Sequence, residues 1–123
     1  MIEMERATFE RLVQGALDSL PDEFAERLEN VTVVLEDEPD PEDLREMGLD
    51  PLTEADELLG LYQGVPLIER EGALSDLPDR IAIYMGPILR TCRSPQEVAR
   101  EVRQTVIHEI GHHFGLSDEG MPY

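Results

Sequence analysis

A chain of 123 residues can form one domain whose single core hides roughly two-thirds of its unfolded surface, so residues 1–123 are read as one domain. The net charge of −18 excludes attraction to nucleic-acid phosphates or anionic lipid and favours cationic partners or substrates. With 41% apolar residues, no Trp and only one cysteine, Cys92, the core is expected to be Leu, Val and Ile without an internal disulfide, which fits a reducing compartment.

The N-terminus, Met1-Ile2-Glu3-Met4-Glu5-Arg6, has no basic region followed by an apolar run and does not read as a secretory signal. Phe9, Leu12, Val13, Ala16, Leu17 and Leu20 recur at i, i+3, i+4 spacing and predict an amphipathic helix over about 4–19. Pro21 interrupts it and suits the first turn of a short helix over about 21–29. Asp22 and Glu23 complement the dipole of that helix, and Phe24 and Leu28 are expected to face the core. Val31-Thr32-Val33-Val34-Leu35 is dense in β-branched residues and predicts a strand with Val31, Val33 and Leu35 on one face.

Residues 36–57 hold eleven acids and one base, Arg45, punctuated by Pro39, Pro41, Gly48 and Pro51. They read as a solvated loop with a turn of helix near 41–47, or as a lid or docking segment; the alternating acids of a calcium loop are missing. Residues 58–67 look like strand material, but their glycines and Pro66 belong to an edge, a bulge or a hairpin turn. Residues 69–79 read as a loop. Residues 80–85 predict a second clear strand, stopped by Gly86-Pro87, with a short helical turn at 88–90. Ser94-Pro95-Gln96-Glu97 joins a cap, a proline at the first helical position and the Glu of a capping box. The helix it opens should run from 95 to about 114 and bury Val98, Val102, Val106, Ile110 and Phe114, with Gly115 as a left-handed stop. No stretch approaches the roughly 20 apolar residues of a membrane span. No contact with a membrane is expected, and the expected location is cytoplasmic.

That last helix carries His108-Glu109-Ile110-Gly111-His112, followed by Gly115 and Asp118. Successive helical residues turn by about 100°, so two histidines four apart share a face and can share one ion. Glu109, beside the first, is placed to take a proton from water and pass it to a leaving amine. A catalytic zinc needs three protein ligands and an open position. Gly115 lets the chain turn back, which makes Asp118 the expected third ligand beside His108 and His112. His113 points away from His112 and is expected to support a ligand or to pack in the core. Cys92 lies outside the motif and is expected to be plainly buried.

The stretches 58–67, 77–84 and 105–118 together resemble the minimal zincin-like metallopeptidase domains of bacteria, the last stretch being the specific one. The resemblance implies an α+β fold: a short mixed sheet, an N-terminal backing helix and a C-terminal active-site helix. It also implies Zn²⁺ on His108, His112 and Asp118, Glu109 as general base, and an edge strand that pairs with a peptide or protein substrate. Either 58–67 or 80–85 could be that strand. Larger zincins place a methionine turn well downstream, and Met121 stands too near Asp118 to be assigned it. Three functions follow: a zinc metallopeptidase, which is preferred; a zinc-binding regulatory or interaction module with little proteolysis; and a zinc that serves folding only. A monomer fits the sequence.

Overall fold

The computed structural model describes residues 2–25, 31–64 and 79–115. Helix α1 spans Arg6–Asp18 and buries Phe9, Val13 and Ala16, the apolar face expected from their spacing. A short α2, Asp22–Ala25, follows; the rest of the helix expected to 29, with Leu28 and the side chain of Phe24, lies outside the described residues. Strand β1 is Val31–Glu36, α3 is Pro41–Glu46, and a 3₁₀ turn covers Ala55–Glu57. Strand β2 is Gly60–Gln63 and β3 is Asp79–Tyr84. Helix α4 spans Met85–Thr91 and α5 spans Pro95–His113. The expected strand residues 65–67 and residues 69–78 of the expected loop lie outside the description, while Asp79, the last residue of that loop, instead opens β3.

The sheet is mixed, with strand order β1-β3-β2. β1 runs parallel to β3, and β2 runs antiparallel to it. Among the described residues β3 is thus the central strand, hydrogen-bonded on both sides, and β1 and β2 flank it. Period-two alternation sends Ile81 and Ile83 to one face, where α1 and α5 cover them. Ala82 and Tyr84 point to the other face and join Leu44, Leu58 and Leu61 in a second, smaller cluster.

That second cluster corrects the reading of residues 36–57 as a solvated loop. Leu44 on α3 is 2% exposed and Pro39 is buried, so the segment covers the back of the sheet rather than waving in solvent. Its acids do face water, and a few arginines pin them. Arg90 donates to both carboxylate oxygens of Glu38 and to Asp56, at 2.6–2.8 Å. Arg6 donates to Asp37 at 2.6 Å and to the Leu35 carbonyl at 2.7 Å. Arg80 pairs with Glu36.

The strand ends at Tyr84, just ahead of Gly86-Pro87, and the helical turn expected at 88–90 belongs to α4. β3 runs straight into α4, with Pro87 buried in its first turn. Proline is tolerated there because the first-turn N–H groups lack helical acceptors anyway. α5 begins as the sequence requires: the Ser94 hydroxyl accepts from the Glu97 N–H at 3.1 Å, and the Glu97 carboxylate accepts from the Arg93 N–H at 3.1 Å. Gly115 follows its end with φ 90°. Among the described residues, no helix is long and apolar enough to cross a membrane.

Candidate metal centre

α5 presents three adjacent rows of residues spaced four apart. Val98, Val102, Val106 and Ile110 form the first, and all are buried in the main core. Thr105, Glu109 and His113 form the second; they are polar, yet only 7%, 7% and 0% exposed. His108 and His112 form the third and are half-buried at the helix flank. The apolar row fixes how the helix sits, and that rotation puts the acid inward and the two imidazoles at the edge.

The Nε2 atoms of His108 and His112 lie 3.2 Å apart, with ring centroids separated by 4.8 Å and planes at 83°. Two nitrogens on one tetrahedral zinc, each at roughly 2.0–2.1 Å, stand about 3.3 Å from each other. The spacing therefore fits two nitrogens on one shared ion. The ligand atoms of His108, Glu109 and His112 lie within 4.8 Å of one another, and this is the group among the described residues that could hold a metal. Asp118, the expected third ligand, lies outside the described residues, as do Glu119 and Met121.

β2 comes unusually near this helix at Gly60. A Cβ built there would stand 2.7 Å from Thr105 Cγ2 and 3.2 Å from Glu109 Cγ. Only glycine lets β2 lie against the polar row, and Glu109 is buried because of it. Of the two strands that could have been the substrate edge, 80–85 is excluded, since β3 is paired on both sides.

His113 is wholly buried, in keeping with a core or supporting role. Its Nδ1 stands 2.6 Å from Asp79 Oδ2. The Tyr62 hydroxyl donates to the same oxygen at 2.7 Å. Neither Asp79 nor Tyr62 was picked out by sequence reasoning. The signal available was faint: an acid opening a strand whose inward positions are otherwise apolar. Cys92 is 3% exposed, and burial, with Glu97 and Glu101 nearby, pushes its thiol above the ordinary value. It is a poor nucleophile, as expected.

No curated protein matches this chain. A solved structure, a conserved hypothetical protein from Thermo thermophilus, is similar: the identity is 29%, the TM-score is 0.60, and the match covers 90% of this chain and 94% of that one. The family of zincin-like metallopeptidases matches residues 28–123, which include the sheet and the whole of α5. With its motif on a buried helix beside β2, the chain belongs to the zincin-like metallopeptidase family.

Proposed function

We propose that this protein is a zinc-dependent metallopeptidase. The observation that carries the reading is the 3.2 Å approach of the His108 and His112 Nε2 atoms with the buried carboxylate of Glu109 beside them. In this reading His108, His112 and Asp118 hold the metal. Bound zinc would supply Lewis acidity toward water and the scissile carbonyl.

The chain's own residues account for the rest. Glu109 accepts a proton from the attacking water as the new C–O bond forms, then delivers it to the amine nitrogen as the C–N bond breaks. Glu109 is 7% exposed, which limits the approach of bulk water to its side chain. In this reading an extended peptide adds to the sheet beside β2, which among the described residues is paired with β3 alone. The net charge of −18 favours cationic peptides.

Metal analysis of purified wild type, His108→Ala and Asp118→Ala, together with cleavage of a peptide library by wild type and Glu109→Gln, tests the reading. Wild type should carry about one zinc, and each ligand variant should lose it. Glu109→Gln should keep the metal and lose turnover by roughly a hundredfold or more. Equal turnover by that variant would sink the mechanism.

A second reading is a zinc-binding interaction module with little proteolysis. Leu52, 92% exposed, and Met47, 54% exposed, stand out on the ordered acidic cover and motivate it. Fully zinc-loaded protein that cleaves nothing in the library, yet holds a stable partner through Leu52, would favour this reading.

A further inference from the structure

The chemistry above uses Glu109 from the buried polar row of α5 but leaves His113 unexplained. His113 is 0% exposed and Asp79 is 1% exposed. One oxygen, Asp79 Oδ2, meets both His113 Nδ1 at 2.6 Å and the Tyr62 hydroxyl at 2.7 Å. The rings of Tyr62 and His113 meet edge to face, with centroids 5.9 Å apart. A Cβ on Gly64 would overlap the Asp79 carboxylate, so the far end of β2 closes down on the same group. Among the described residues, His113 Nε2 has no hydrogen-bond partner.

This is a costly way to fill space. Burying a carboxylate and an imidazole is less favourable than packing apolar side chains of the same volume. Apolar contacts, however, do not fix direction, and hydrogen bonds do. The single oxygen joins three elements: β2 through Tyr62, the first residue of β3 through Asp79, and the last residue of α5 through His113. His112 sits in that same final turn. Helix ends lack part of their hydrogen bonding and open more readily than their middles. A ligand placed there needs an anchor.

We infer that Asp79 is a positioning residue for the metal centre: through His113 it holds the last turn of α5, and through Tyr62 it fixes β2 against that turn. The inference rests on the metal-site reading. Without the anchor, His112 would have to be ordered at the moment of binding, and the affinity for metal would fall by that ordering cost.

The test is a zinc titration of purified protein against a chromogenic chelator, with melting temperature measured alongside. Asp79→Asn keeps the shape and changes the hydrogen bonding; it should weaken zinc by roughly ten- to a hundredfold, the usual effect of losing a supporting partner. Tyr62→Phe removes one hydroxyl and should give a smaller loss in the same direction. Val98→Ala, at the start of α5, is the control for lost stability alone; it should lower the melting temperature and leave zinc affinity unchanged. If Asp79→Asn and Tyr62→Phe bind zinc no more weakly than Val98→Ala, the inference is overturned. Should Asp79→Asn fail to fold, Tyr62→Phe against Val98→Ala decides it alone. A wild type that binds no zinc would refute the metal reading itself. The anchor is then judged by amide hydrogen exchange, which Tyr62→Phe should speed at residues 110–114 and leave unchanged at 98–102. Unchanged exchange at 110–114 would overturn it.

Discussion

Gly60 decides how near Glu109 can lie to β2. Its missing Cβ makes room for Thr105 Cγ2 and Glu109 Cγ, and nothing else on the strand substitutes for that room. Threonine in a helix has few χ1 options, so Thr105 cannot simply swing away. Gly60→Ala should therefore destabilise the fold by about 1–3 kcal/mol, read from the midpoint of denaturant unfolding. Adding Thr105→Ser removes the methyl that clashes, and the double variant should recover part of the loss, since the Ala82 carbonyl and Glu109 Cγ still stand 3.2 Å from the new Cβ. If the two changes simply add, the contact between Cβ and Cγ2 is not what sets the cost. The same residue scale explains why Asp79 was invisible in the sequence. Asp79 and His113 are 34 residues apart, and only the placement of β3 under α5 brings them together. Period alone marks a position as inward; it cannot say which inward acid meets which inward imidazole.

At the level of elements, α5 was legible because its signals are local. Ser94, Pro95 and Glu97 open it, the valine row turns it inward, and Gly115 ends it. Ser94→Ala removes the oxygen that accepts from the Glu97 N–H and should cost about 1 kcal/mol in stability. Ser94 is nearly four turns of helix from His108, so zinc affinity should not change; a parallel loss of both would mean that the cap also orders the metal end. The strands were legible as strands, but their order was not. Whether 58–67 or 80–85 forms the edge depends on pairing across the sheet, and both stretches carry plausible strand residues. The acidic segment misled for a different reason. Its charges are indeed solvated, but Leu44, Leu49 and Ala55 are scattered among them without a helical or alternating period, and those few residues pack it against the sheet.

At the scale of the whole molecule, among the described residues several acids are tied down by arginines. Among those of residues 36–57, Glu36, Asp37, Glu38 and Asp56 are held by Arg80, Arg6 and Arg90. Tyr84 is trapped beneath this segment, 2% exposed. Burial, reinforced by Asp43, Glu36 and Glu109 and partly opposed by Arg80, pushes its hydroxyl up to about 12. The unfolded chain would release that proton near pH 10. Between those values the native state binds more protons than the unfolded state, so stability must fall as pH rises from about 10 to 12 and be unaffected by Tyr84 below that window. Melting temperatures across this range should drop less steeply for Tyr84→Phe than for wild type. Equal slopes would show that other groups dominate. β2, finally, sets a scale of its own. Among the described residues β2 has four, a length of roughly 13 Å at strand rise, and it is paired with β3 alone. A peptide added to a strand this short would gain few backbone hydrogen bonds, each worth roughly 1 kcal/mol. Backbone pairing with this strand would hold a peptide only weakly, leaving side chains to choose among peptides and favouring brief visits over long residence.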